Sequence, residues 1–175
     1  PLVRYATGGY ICTSPFPYDG IFRRAVLNFK FHNCGAYAEL LSHEMVRSIK
    51  DVYRDREFDL VTCVPMHKDT LRERGYNQAE LLAKECARLL GIEYADLLAK
   101  TKKNKTQHSI KAAERAKNVI GVYSPIDKNL IKGKRILIID DIITTGSTLV
   151  ECARILNKCK CGEICCCTLC TSLLI

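Results

Sequence analysis

The sequence predicts an α/β protein with a mostly parallel, twisted sheet flanked by helices, and two observations carry that prediction. The aliphatic run 136–139 has no polar interruption, which is typical of a strand that helices cover on both faces. Short strand-like runs also alternate with apolar segments of helical spacing, the order of a βαβ protein. The length of 175 residues suits one compact domain.

The composition indicates a water-soluble protein with a basic surface. Lys and Arg number 27 against 19 Asp and Glu, so the formal charge is +8, which favours anionic partners such as polyphosphates or nucleic acid. The longest apolar stretch, 164–175, is too short to span a bilayer, and the start shows no signal peptide pattern. We therefore expect a cytoplasmic protein without a membrane span.

Eleven cysteines invite a metal or disulfide interpretation. Their number is odd and they lie within periodic apolar segments, which favours reduced thiols. Cys167 and Cys170 have the spacing of half a zinc site, and Cys159 with Cys161 could supply the other half. We favour the alternative that 164–169 is a buried final strand in which Cys acts as a small apolar residue.

The first third of the chain predicts helices. Residues 1–17 show no clear period, 18–31 suggest a short helix followed by an extended piece, and Gly35 precedes a helix with an apolar stripe at helical spacing. The stripe consists of Ala38, Leu41, Met45, Ile49 and Val52. We predict that 1–56 form a helical layer packed against the sheet edge, and that 57–175 form the core.

The middle of the chain predicts strands separated by a helix and a basic run. Residues 58–65 form the first core strand, a basic irregular segment leads into a helix that Gly91 ends, and 92–98 form a second or edge strand. The run 100–111 carries five lysines, as a solvated mobile loop does. Residues 112–118 are helical in propensity, 119–123 return to strand, and 127–134 make a turn-rich connection.

The candidate site follows the aliphatic run. The acids Asp140 and Asp141 end the strand, and ligands of α/β sheets bind at the carboxyl ends of strands. A turn then supplies hydroxyls and a glycine that lets consecutive N–H groups converge on a phosphate. Its residues are Thr144, Thr145, Gly146, Ser147 and Thr148. The acids accept hydrogen bonds from sugar hydroxyls and can hold hydrated Mg²⁺, so a ribose 5-phosphate unit fits.

Residues 135–148 resemble the phosphoribosyl-pyrophosphate (PRPP) signature of type I phosphoribosyltransferases, over about fourteen positions without a gap. A buried strand followed by a capped helix explains the aliphatics and one hydroxyl, but not a paired acid with five small residues. An ATPase also has acids after a strand, but the chain has no Gly-x-x-x-x-Gly-Lys-Ser/Thr. The resemblance implies PRPP as substrate and Mg as cofactor, with Mg held mainly by PRPP and through water by Asp140 and Asp141.

Further segments carry a second resemblance over residues 18–170. These segments are Tyr18-Asp-Gly, Leu27-Asn-Phe-Lys-Phe, Val64-Pro-Met-His, Arg72-Glu-Arg-Gly-Tyr-Asn-Gln, Gln107, and Arg115 with Asn118. In this order they resemble the ComF family of DNA-uptake proteins. Two departures stand out. The first is that only Cys12 precedes Cys34 and the front third has no Cys-x-x-Cys pair, so the four-Cys zinc ribbon usual at the start is either absent or was cut away. Lys100 and Lys102 replace residues that are often Arg, which keeps the charge but loses bidentate phosphate recognition.

The resemblance implies two functions. In the first, an enzyme transfers the phosphoribosyl group of PRPP to an unidentified nitrogen acceptor and releases pyrophosphate, with no obvious general base. Pro65, Met66, His67 and Lys68 would hold the pyrophosphate, and Lys100 or Lys102 in a mobile loop would close over it. In the second, a catalytically weak module binds single-stranded DNA or DNA-handling competence proteins. Whether the chain forms a homo-oligomer stays an open question.

Overall fold

The computed structural model describes residues 1–5, 9–31, 36–102 and 119–172. The strands are β1 (Leu2–Tyr5), β2 (Ile11–Ser14), β3 (Phe16–Pro17), β4 (Leu60–Cys63), β5 (Glu93–Tyr94), β6 (Leu98–Lys100), β7 (Tyr123–Pro125), β8 (Arg135–Ile143) and β9 (Glu163–Thr171). The helices are α1 (Gly20–Phe31), α2 (Ala36–Val52), α3 (Lys68–Arg74), α4 (Gln78–Leu90), α5 (Lys128–Ile131) and α6 (Ser147–Lys158).

Seven strands form one sheet in the order β1-β2-β9-β8-β4-β5, and β3 also pairs with β9. Every pairing in it is parallel except that of β1 with β2. Strand β8 lies between β4 and β9, and its Ile138 is the partner of both Thr62 and Cys166. The ends of β4 and β8 therefore meet at one edge of the sheet. Strands β6 and β7 form a separate antiparallel pair.

Helices cover both faces of the sheet, which explains the unbroken aliphatic run. Leu137 and Ile139 pack in one core cluster with side chains of α2 and α4. Ile136 and Ile138 belong to a second cluster, on the other face, with side chains of α6. All four are fully buried, and burying such a side chain contributes about 1.5–3 kcal/mol. The prediction of a mostly parallel sheet flanked by helices is confirmed.

The N-terminal region contains strands that the sequence did not reveal. Residues 1–17 include β1, β2 and β3, and the last two pair with β9. Polar residues in β2 point inward, because Thr13 Oγ1 lies 2.6 Å from Ser48 Oγ and Ser14 Oγ lies 2.7 Å from Thr168 Oγ1. Helix α2 packs on a face of the sheet beside α4, not against its edge. The boundary at residue 56 stays a prediction, although β2 and β3, which precede it, pair with β9, which follows it.

Two other expectations need adjustment, and a third is untested. The segment 92–98 holds β5 and the start of β6, two strands in different sheets. The connection 127–134 contains α5, which Asp127 caps by accepting a hydrogen bond from the N–H of Asn129 at 2.8 Å. The helix expected at 112–118 lies outside the described residues. Within the described ranges, no helix is both long and apolar enough to cross a bilayer.

The prediction of a buried, cysteine-rich final strand is confirmed. Strand β9 contains Cys165, Cys166, Cys167 and Cys170, all fully buried. Burial raises the pKa of the Cys166 and Cys167 thiols well above the ordinary value. Neutral thiols fill the narrow space between sheet and helices as small apolar side chains. In the part of the chain that the structure describes, no three His, Cys, Asp or Glu side chains group as metal ligands.

Candidate active site

A cavity of about 240 Å³ opens at the carboxyl ends of β4 and β8. Three parts of the sequence predicted to share a site do meet there: the acids after the aliphatic run, the segment after the first core strand, and one lysine of the basic run. The lining residues are Val64, Pro65, Met66, His67, Thr70, Arg74, Asn77, Gln78, Ala79, Lys100, Tyr123, Asp140, Asp141 and Thr148.

The acid pair lies within β8, near its carboxyl end. Asp140 and Asp141 are partly buried and both line the cavity. The backbone N–H of Asp141 donates to Asp140 Oδ1 at 2.8 Å, which fixes the first carboxylate against the chain. Two oxygen-rich side chains at this edge are suited to accept hydrogen bonds from vicinal hydroxyls of a sugar.

The hydroxyl-rich turn follows β8 and begins α6. Gly146 is buried and has a φ of +80°, a left-handed conformation that favours glycine. Thr145 Oγ1 lies 2.9 Å from Ser147 Oγ and accepts a hydrogen bond from the Ser147 N–H at 3.4 Å. Thr148 lines the cavity, whereas Thr144 is exposed. The turn places the N-terminus of α6, with its N–H groups, beside the acid pair.

The segment after β4 forms the opposite wall. Pro65, Met66 and His67 line the cavity, and Lys68 begins α3 with an exposed side chain. The N–H of Asp69 donates to His67 Nδ1 at 3.3 Å, so His67 caps α3. Because Nδ1 accepts, the proton of a neutral His67 imidazole lies on Nε2. The structure thus brings three of the four predicted pyrophosphate residues to the cavity.

Lys100 occupies a strand, which corrects its assignment to a mobile loop. It ends β6, and its Nζ lies 5.6 Å from the centroid of the Tyr123 ring, a cation–π contact. Burial lowers the pKa of Lys100, and the charge of Asp140 opposes that shift. Lys102 is exposed, and the rest of the lysine-rich run from residue 103 lies outside the described residues.

The pair β6–β7 is tied to the helix that follows the turn. Burial raises the pKa of Tyr123, and the Thr148 side chain lies close enough to the Tyr123 hydroxyl to oppose that rise. The backbone N–H of Gly121 donates to Glu151 Oε1 at 2.8 Å, and Arg154 donates to both oxygens of Glu151. The lysine in the cavity is therefore held against the same helix whose start forms the turn.

Four polar residues of the cavity wall had no predicted role. Asn77 is buried and fixes the wall, because its Nδ2 donates to the Val64 carbonyl at 3.1 Å and its Oδ1 accepts from the Ala79 N–H at 3.1 Å. Arg74 Nη1 donates to Gln78 Oε1 at 2.9 Å. These three belong to the segment Arg72-Glu-Arg-Gly-Tyr-Asn-Gln, whose polar pattern was the available signal. Thr70, on α3, had none.

The donor set fits a magnesium ion carried by a substrate. Mg²⁺ keeps several waters and uses one or two carboxylates together with substrate phosphates. Asp140 and Asp141 supply two hard oxygen groups at the cavity. A cage of three or more protein ligands is absent from the described ranges, so the acids would reach the ion beside phosphate and water.

Comparison with known proteins agrees with this geometry. The sequence profile described as "Phosphoribosyl transferase domain" matches residues 77–173, more than half of the chain. The chain belongs to the phosphoribosyltransferase domain family. This phosphoribosyltransferase domain resembles, in its fold, a glutamine PRPP amidotransferase from B. subtilis complexed with ADP and GMP. The TM-score is 0.51 at 21% identity, over 75% of this chain and 26% of that one.

The curated relatives confirm the ComF resemblance of the domain. "Competence protein F" of Haemophilus influenzae is 31% identical over 144 residues, 79% of this chain and 63% of that protein. "Competence protein ComFC" of Bacillus subtilis is 31% identical over 152 residues, 86% of this chain and 60% of that protein. The chain thus spans less than two thirds of the length of these relatives.

Proposed function

We propose that the chain binds PRPP with Mg²⁺ and transfers its phosphoribosyl group to a nitrogen acceptor, releasing pyrophosphate. One observation carries the proposal: a single cavity gathers Asp140, Asp141 and Thr148 on one side and the segment 65–67 on the other. The ribose hydroxyls would lie on the acids, the 5-phosphate in the turn 144–148, and the pyrophosphate against the segment after β4.

For phosphoribosyl transfer, the protein needs mainly to bind the substrate and to stabilise the charges that develop. The bond between the anomeric carbon and a pyrophosphate oxygen breaks, a bond from the acceptor nitrogen to that carbon forms, and the proton that the nitrogen loses passes to water. Mg²⁺, when bound, neutralises charge on the leaving pyrophosphate. Lys100 adds a positive charge at the cavity wall, on a strand that holds it there without a change of conformation.

Calorimetric titration with PRPP·Mg²⁺, followed by ribose 5-phosphate alone, tests the proposal. We expect saturable binding of both and tighter binding of PRPP. The double variant Asp140→Asn with Asp141→Asn keeps the size of both side chains and should weaken both ligands. Wild-type protein that binds neither ligand at millimolar concentration would overturn the proposal.

A second candidate is a module that handles single-stranded DNA without catalysis, favoured by the names of the competence relatives and by the charge of +8. The lysine-rich run 100–111 has no aromatic residue between its lysines for base stacking. Oligonucleotide binding should therefore be electrostatic and collapse between low and physiological salt. Fluorescence anisotropy across a salt series, repeated with saturating PRPP·Mg²⁺, separates the candidates. Tight, salt-resistant binding that ignores PRPP favours the DNA module.

A further inference from the structure

Arg74 is the one guanidinium among the described residues that line the cavity. It lies in the last turn of α3, on the wall formed after β4, across from the acid pair. Of the basic run that begins in β6, Lys100 lines the cavity and Lys102 is exposed. Arg presents a planar fork that binds two phosphate oxygens at once, whereas Lys acts as a point charge. Arg74 therefore has the chemistry that Lys100 and Lys102 lack.

A buried amide orients this guanidinium. Gln78 is 1% exposed, and its Oε1 accepts from Arg74 Nη1 at 2.9 Å. Gln78 is neutral, so the bond fixes the direction of the guanidinium without cancelling its charge. Gln78 is itself held at the start of α4, directly after the cap residue Asn77. A long side chain that is already oriented loses less entropy when it binds an anion.

The two ends of the substrate differ in charge and need different partners. The 5-phosphate is a monoester that the turn 144–148 can bind through N–H and hydroxyl groups. The pyrophosphate carries more negative charge and must be stabilised as it leaves. Asp140 and Asp141 line the same cavity, and their negative charges disfavour a bare phosphate beside them. A cation on the wall formed after β4 would stabilise the charge of the leaving pyrophosphate.

We propose that Arg74 binds the pyrophosphate group of PRPP through its guanidinium and that Gln78 is its positioning residue. The proposal deepens the function proposed above and rests on it. Arg74 then sets the preference of the cavity for a 1-pyrophosphate over an unsubstituted sugar. Loss of this charge-assisted fork is expected to weaken PRPP about 10- to 100-fold.

Titrations with PRPP·Mg²⁺ and with ribose 5-phosphate test this assignment. Arg74→Gln should lose affinity for PRPP by that factor and keep its affinity for ribose 5-phosphate, which lacks the pyrophosphate. Arg74→Lys should recover only part of the loss. Gln78→Met should lose a smaller factor, again for PRPP alone. Arg72→Gln, on the same helix with an exposed side chain, removes the same charge away from the cavity and should bind both ligands as the parent does.

The outcomes separate this inference from the proposed function. Wild-type protein that binds no PRPP overturns both. Wild-type binding of PRPP with an unchanged affinity in Arg74→Gln overturns the role of Arg74 alone. An equal loss of both ligands in Arg74→Gln also overturns it, because a residue that contacts only the pyrophosphate cannot weaken a ligand without one. A loss in Arg72→Gln equal to that in Arg74→Gln assigns the effect to net charge and rejects the specific contact.

Discussion

Replacing Gly146 with Ala perturbs the turn that we assign to the 5-phosphate. Gly146 has a φ of +80°, and a residue with a Cβ costs about 1–2 kcal/mol in such a left-handed conformation. For a chain of this size that loss lowers the melting temperature by roughly 2–8 °C. If the backbone relaxes towards negative φ, the N–H groups of Ser147 and Thr148 turn away from a bound phosphate. Losing two hydrogen bonds to a charged group weakens ribose 5-phosphate about 100-fold or more.

Gly133 offers a matched control, because its φ is +72° and a Cβ there meets nothing within 4 Å. It precedes β8 and so lies at the opposite edge of the sheet from the cavity. Gly133→Ala should lose a similar amount of stability and bind ribose 5-phosphate normally. Thermal unfolding and calorimetry of both variants check this. If Gly146→Ala bound the ligand as tightly as Gly133→Ala does, the phosphate would lie elsewhere.

Three further predictions concern single contacts. Because burial lowers the pKa of Lys100, its charge is lost at a lower pH than that of an ordinary lysine, so PRPP affinity should fall as pH rises into the alkaline range; Lys100→Arg, titrated across pH, should remove that fall. Tyr123→Phe deletes the hydroxyl that interacts with the Thr148 side chain and should weaken ribose 5-phosphate about 2- to 10-fold by calorimetry. The hydrogen bonds of Arg135 lower the pKa of Asp59, so this contact stabilises the fold above about pH 4 and is lost as pH falls. The free energy of unfolding in urea should therefore change less for Asp59→Asn than for the parent between pH 5 and pH 2.

The central strand and the acid pair could be predicted because one strong pattern encodes both. Strand β8 is covered on both faces, so its aliphatic run is uninterrupted, and its polar residues begin where it reaches the cavity. The helices α2 and α4 could also be predicted, because each has one apolar face at helical spacing.

The strands of the first seventeen residues could not be predicted, for a physical reason. They are two to four residues long, and β2 turns Thr13 and Ser14 inward, where hydroxyls on Ser48 and Thr168 satisfy them. Polar residues buried on both faces of a strand remove the apolar–polar alternation on which strand prediction depends.

The sequence pattern also led to a wrong placement of Lys100 and gave no sign that Arg74 contacts Gln78. Lys100 looked like part of a solvated run, because its burial depends on Tyr123, which lies more than twenty residues further along the chain. Arg74 and Gln78 come together across the turn between α3 and α4. The charged segment that contains them has no hydrophobic period that would predict this turn.

The buried cysteines of the sheet and its helices offer a chemical measure of how fast the fold opens. Of the ten that the structure describes, nine are buried, and Cys161 is the partly exposed one. Burial raises the pKa of Cys63 and of Cys86 to about 12, so at neutral pH almost none of either thiol is the reactive thiolate. An alkylating reagent should therefore modify Cys161 first and reach the buried thiols only as fast as the sheet and helices separate. Counting modified thiols by mass spectrometry over time would follow the unfolding of this domain without any added label.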